Sequence, residues 1–106
     1  MSHTIDIRPQ DLAEARTILA AYLPHTAHVW VFGSRASGRA HRGSDLDLAV
    51  DAARKLTREE ISALKAAFED SNLPYTVDVV DLHRIDPAFR AVIDDTPKAE
   101  LLFIGK

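Results

Sequence analysis

Apolar positions recur along this chain with two different periods. Leu12, Ala15, Leu19, Tyr22 and Leu23 fall at helical spacing between Pro9-Gln10-Asp11, which reads as a helix start, and Pro24, which closes the segment. They predict an amphipathic helix. From Ala27 to Phe32 the β-branched and aromatic residues Val29, Trp30, Val31 and Phe32 predict a strand, punctuated by Gly33-Ser34. Leu46, Leu48 and Val50 then alternate with Asp45, Asp47, Ala49 and Asp51, so this strand has an apolar face and an acidic one. Thr57-Arg58-Glu59-Glu60 has the form of a capping box, followed by Ile61, Leu64 and Phe68 as a buried stripe. Tyr75 to Leu82 is strand-like, with Val77 and Val79 on one side and Asp78 and Val80 on the other. Asp86-Pro87 opens a helix with Phe89, Val92 and Ile93 on its apolar face and Pro97 at its end. Leu101 to Ile104 adds a last short strand.

The order is helix, strand, loop or short helix, strand, helix, strand, helix, strand. It predicts an α/β (α+β) fold: a small mixed sheet with helices packed on it. Strand direction and order are not readable from spacing. The 106 residues suit one domain spanning residues 1–106, with 46% hydrophobic and 27% charged residues supporting an ordinary globular core. A chain of this size can fold alone but has little structure to spare for gripping a large substrate.

Charge narrows the function classes. Thirteen basic against sixteen acidic residues give a net charge of -3, which argues against coating nucleic acid, so no direct nucleic-acid partner is expected. The absence of cysteine excludes thiolate metal sites, disulfides and a cysteine nucleophile. No cationic, apolar leader and no apolar run of membrane-spanning length is present, so a cytoplasmic location is expected.

The basic residues are not evenly spread. Residues 33–44, GSRASGRAHRGS, carry Arg35, Arg39 and Arg42, three serines and three of the four glycines, with no acid. Directly after comes Asp45-Leu46-Asp47. Carboxylates two apart on a strand point the same way, with Cα atoms roughly 6.6 Å apart. They can converge on one or two hard cations, since paired catalytic metals sit about 3.5–4 Å apart. Asp78, which interrupts the apolar run from Tyr75 to Val80, is the best candidate for a third carboxylate, because an acid in such a run is costly unless it binds something. Asp51 and Asp81 are weaker candidates. Gly33 and Ser34 offer close backbone approach, amide donors and a hydroxyl, as phosphates require. The arginines add guanidinium groups for a polyphosphate, with Arg35 the first choice. Ser44 could orient Asp45, and His41 is the one histidine placed to take part. A Gly-Ser turn alone is common, and Asp-x-Asp alone usually marks a solvated strand face; the two joined at ten intervening residues, each after a strand signal, are far more specific.

In these residues, GSRASGRAHRGSDLDLAV (33–50) with VWVFGSRASG (29–38) before it and VDVVDL (77–82) after it, the chain resembles the minimal nucleotidyltransferases of the DNA polymerase β superfamily. The resemblance implies that Asp45, Asp47 and Asp78 form the metal-binding and catalytic set, and that Gly33 and Ser34 hold phosphate. It implies transfer of AMP from ATP, with magnesium (two ions), to a hydroxyl. It further implies a HEPN-domain ribonuclease toxin as partner, a tyrosine on that toxin as acceptor, a hetero-oligomer with it, and service as its antitoxin. Two other readings are an antitoxin acting by occlusion alone and a transferase for a small hydroxylated molecule.

Overall fold

In the computed structural model the residues described are 7–24, 27–33, 45–95 and 98–103. Helix α1 (Pro9–Tyr22) starts on a proline, whose fixed φ and missing N–H suit the first helical turn. Strands β1 (His28–Phe32) and β2 (Leu46–Asp51), helix α2 (Arg58–Glu69), strand β3 (Val77–Asp81), helix α3 (Pro87–Asp95) and strand β4 (Lys98–Phe103) follow. The four strands form one mixed sheet in the order β3-β2-β1-β4. β1 runs antiparallel to both β2 and β4, and β2 runs parallel to β3. A parallel pair needs a crossover, which residues 52–76 provide with α2 as its helix.

One face of the sheet carries the main core. Val29, Val31, Leu46, Leu48, Val50 and Leu101 meet Ala15 and Leu19 of α1 and Leu64 and Phe68 of α2. The opposite face holds a smaller cluster in which Ala49, Leu82 and Ile93 are buried and Trp30, Phe32, Val80 and Ile85 are partly covered. The acidic face expected of β2 is therefore half covered: α3 seals it at Ala49 and leaves the Asp47 end open.

Two local devices fix the layout. The capping box of α2 forms as expected, with Thr57 accepting from the Glu60 amide and Glu60 accepting from the Thr57 amide. Arg54 grips the Glu60 carboxylate with two nitrogens at 2.9 and 2.8 Å. On β4 the pairing with β1 shifts between Val29 and Trp30, so that Leu101 is the extra residue of a bulge. Its side chain enters the core and its carbonyl accepts from Arg16 Nε at 2.9 Å.

Several expectations are corrected. β4 begins at Lys98, three residues before the predicted Leu101, because the sheet edge of β1 pairs it from there; Ile104 and Pro97 lie outside the described residues. β3 is shorter than Tyr75–Leu82, since its partner β2 supplies register only from Leu46 to Val50. Tyr22, Phe89 and Val92 are not core residues: they are 45%, 45% and 60% exposed. Ile93 is the buried residue of α3, in the cluster with Ala49 and Leu82, while Phe89 and Val92 stay exposed.

Candidate active site

β1 ends at Phe32 and the chain turns at Gly33, where φ is 75°, a value that favours glycine. Proximity adds a second demand. A Cβ on Gly33 would stand 2.5 Å from Oδ2 of Asp47, so any larger residue there must push the Asp47 carboxylate aside. The glycine turn and the first strand carboxylate are thus packed against each other.

Register places the next carboxylate. Phe32 pairs with Asp47 and Asp47 pairs with Asp78, giving one row across β1, β2 and β3 on the face that α3 leaves open. Asp47 is half-buried, Asp78 is exposed, and Asp45 is exposed immediately before β2. Asp78 is therefore not the costly buried acid that the apolar run suggested: its side chain leaves the sheet at the uncovered end, next to Asp47. Burial, followed by the charges of Asp78 and Asp45, pushes the Asp47 carboxyl above its ordinary pKa. An acid whose ionisation is opposed by burial and by two neighbouring carboxylates sits in a negative field that a divalent cation relieves. Short carboxylate oxygens are also the donor type that hard cations such as magnesium take, so the residues fit such an ion. Among the described residues no three His, Asp or Glu side chains converge as a ready-made cage. Asp45 lies outside the strand, where it does not share the row of Asp47 and Asp78.

The other predicted site residues separate into two groups. Ser34, Arg35, Arg39, His41, Arg42 and Ser44 lie outside the described residues. Asp51 and Asp81 are described and are structural. Asp81 is buried, with Oδ2 accepting from the Leu56 amide at 2.8 Å and Oδ1 from the His83 amide at 2.9 Å. Asp51 accepts from the Ala53 amide and meets His83 Nε2 at 2.6 Å. Burial opposes its ionisation, but His83, the Ala53 amide and the charge of Arg90 outweigh that and hold its pKa low. Both acids secure the end of β2 and β3 remote from Gly33.

One feature next to the row had no signature in the sequence. Asp78 also lines a cavity of about 560 Å³ between α2 and β3, walled by Phe68, Leu73, Tyr75 and Val77 with Lys65 and Thr76 among its lining. Its apolar walls carry the same residue types as a core, and periodicity cannot tell a wall from a filled interior.

Comparison with known proteins gives a consistent picture. A family model described as "Polymerase beta, Nucleotidyltransferase" matches residues 14–99. A Haemophilus influenzae protein named "Probable protein adenylyltransferase MntA" is 40% identical over 89 residues, which are 84% of this chain and 77% of that one. Among solved structures, a chain from a toxin-antitoxin complex with AMP-PNP superposes with a TM-score of 0.71 at 27% identity, covering 88% of this chain and 73% of that chain. A chain from an MntA toxin-antitoxin mutant, with two aspartates two positions apart changed to glutamate, gives 0.71 at 26% identity and covers 87% and 73%.

Proposed function

The chain belongs to the polymerase beta nucleotidyltransferase family, and from that premise we propose that it transfers AMP from ATP to a tyrosine hydroxyl of a HEPN-domain ribonuclease toxin and so acts as the antitoxin in the cytoplasm. The observation that carries this reading is the row in which the Gly33 turn abuts Asp47 and Asp47 neighbours Asp78. A phosphate-holding turn and a carboxylate pair in contact are what phosphoryl chemistry needs: a donor held still and charge neutralised. The relatives support the choice of donor and partner, one being named a protein adenylyltransferase and others being toxin-antitoxin chains, one with AMP-PNP. The crystallised double variant changes aspartates at the spacing of Asp45 and Asp47.

Asp45, Asp47 and Asp78 would hold magnesium, which when bound supplies charge neutralisation to the triphosphate. The protein's own groups do the rest. Gly33 and Ser34 lodge the β and γ phosphates with amides and a hydroxyl, aided by Arg35, Arg39 or Arg42. Asp78, the exposed acid of the row, accepts the acceptor hydroxyl's proton. The rigid sheet keeps Asp47 and Asp78 in register, so that orientation is built in before substrate arrives.

The test is label transfer from α-labelled ATP to the purified HEPN partner with magnesium. We expect transfer by the wild type and its loss, by at least about 100-fold, in Asp47→Asn. Label that persists undiminished in Asp47→Asn overturns the mechanism. Rescue of cells from the toxin by an Asp45→Asn, Asp47→Asn double variant at matched expression would assign the antitoxin effect to occlusion instead.

A further inference from the structure

The sheet has two outer edges of unlike make. β4 is interrupted by its bulge at Leu101, an irregularity that discourages further strand pairing. β3 keeps unbroken register with β2 from Val77 to Asp81. The Leu46 amide donates to the Thr76 carbonyl and the Leu82 amide to the Val50 carbonyl, both at 2.9 Å. In a parallel ladder every second residue faces the same neighbour, so Asp78 and Val80 turn their backbone groups to β2, while those of Val77 and Val79 point away from the sheet. No described residue pairs with them.

A strand laid against that edge would lie about 4.8 Å from β3 and send alternate side chains to the two faces of the sheet. On the face of Val77 and Val79 it meets the cavity between α2 and β3, walled by Phe68, Leu73, Tyr75 and Val77. Those walls are held from outside. The Tyr75 hydroxyl meets Asp11 Oδ2 at 3.2 Å, and the Asn72 amide donates to Glu14 at 2.8 Å. A preorganised wall lowers the ordering cost of binding. On the opposite face the next side chain of the strand stands beside exposed Asp78, at the open end of the carboxylate row. Apolar side chains suit the first face, and polar or basic ones the second.

We infer that the outer edge of β3 is a docking edge for an extended segment of the partner protein. The segment adds to the four-stranded sheet as one more strand, with an apolar side chain in the cavity and a polar or basic one beside Asp78. The inference rests on the toxin-partner reading above. Unpaired amides and carbonyls on a regular edge call for another extended backbone, which sets the shape of the occupant; the two unlike faces set its alternation. A second copy of this chain is the poorer occupant. Pairing Val77 with Val79 of another copy sets the two Asp78 carboxylates directly opposite each other, and like charges so placed are destabilising.

Amide hydrogen exchange followed by NMR on the isotope-labelled protein, alone and with the purified HEPN partner, tests this. Binding should slow exchange at Val77 and Val79 about tenfold or more, with the amides of Asp78 and Val80, held by β2, as the internal reference. Val77→Pro removes one outward amide and spares the bonds to β2. In label transfer its KM for the partner should rise about fivefold or more with the KM for ATP unchanged, and Val77→Thr, which keeps the amide and the β-branched shape, should restore it. Unchanged exchange at Val77 and Val79 in a mixture that transfers label overturns the docking edge and leaves the adenylyl-transfer reading standing. An unchanged partner KM in folded Val77→Pro does the same. Slowing that appears in the protein alone and grows with its concentration makes the occupant a second copy, and overturns it too. If the partner neither binds nor takes label, the toxin-partner reading fails and the docking edge with it.

Discussion

At the scale of single residues, two positive φ angles carry opposite lessons. Gly33 sits at φ 75° against the Asp47 carboxylate, whereas Ala53 holds φ 63° in the loop after β2, stabilised by its amide on Asp51. Gly33→Ala should cost about 1–2 kcal/mol of stability from the backbone alone and should impair transfer further by displacing Asp47. Ala53→Gly should instead be neutral or stabilising by up to about 1 kcal/mol, because relieved strain exceeds the added freedom of the unfolded chain. Urea denaturation of both variants, with transfer assays on the first, checks this; a Gly33→Ala protein with full activity would show that the contact with Asp47 is unimportant. Asp47 itself is held against burial and two like charges. Asp47→Asn should therefore leave the magnesium-free protein at least as stable as the wild type while removing activity, a trade common at functional sites. A clear fall in Tm for that variant would contradict the reading.

At the scale of elements, the N-terminus of α2 is the most explicit in sequence. Thr57 and Glu60 announced the capping box, and the structure adds Arg54, whose hydrogen bonds, first among several causes, lower the Glu60 pKa to about 2. A carboxylate with a depressed folded pKa contributes its stability fully above its unfolded pKa and loses it as pH falls through the folded one. The contribution of Glu60 should thus persist above roughly pH 4.5 and fade toward pH 2. Comparing thermal unfolding of wild type and Glu60→Gln across that window should show the two curves converging at the acid end. Thr57→Ala should cost about 1 kcal/mol at neutral pH. Other elements were legible only in part. β1 and β2 stood out because alternation is strict where one face is buried. α3 misled because Phe89 and Val92 have the spacing of a core face, yet of the three only Ile93 is buried. Asp78 could be singled out in its run, but its exposure depends on where β3 falls in the sheet, and parallel pairing with β2 is a tertiary outcome that spacing does not encode. The cavity beside it was invisible for the same reason.

At the scale of the whole molecule, the sheet order gathers the turn after β1 and the starts of β2 and β3 at one end, while Asp51, Asp81 and His83 lock the other. No helix among the described residues is long and apolar enough to cross a membrane. A ligand that binds only the folded state at about 100 times its Kd stabilises it by about 2.7 kcal/mol. Magnesium-ATP should accordingly raise the Tm of the wild type by roughly 10 °C at that saturation, and Asp47→Asn should lose most of the shift; an equal shift in both proteins would move the nucleotide away from the row. The position of β1 between β2 and β4 has a consequence during synthesis. β2 follows β1 closely in the chain, but residues 98–103 leave the ribosome roughly 3–13 s later at about 5–20 residues per second. Through that interval the apolar strand from His28 to Phe32 offers one row of unpaired amides and carbonyls, a template for pairing with other chains. Translation speed across residues 33–97 therefore acts on the yield of soluble protein, independently of the stability it has once β4 is in place.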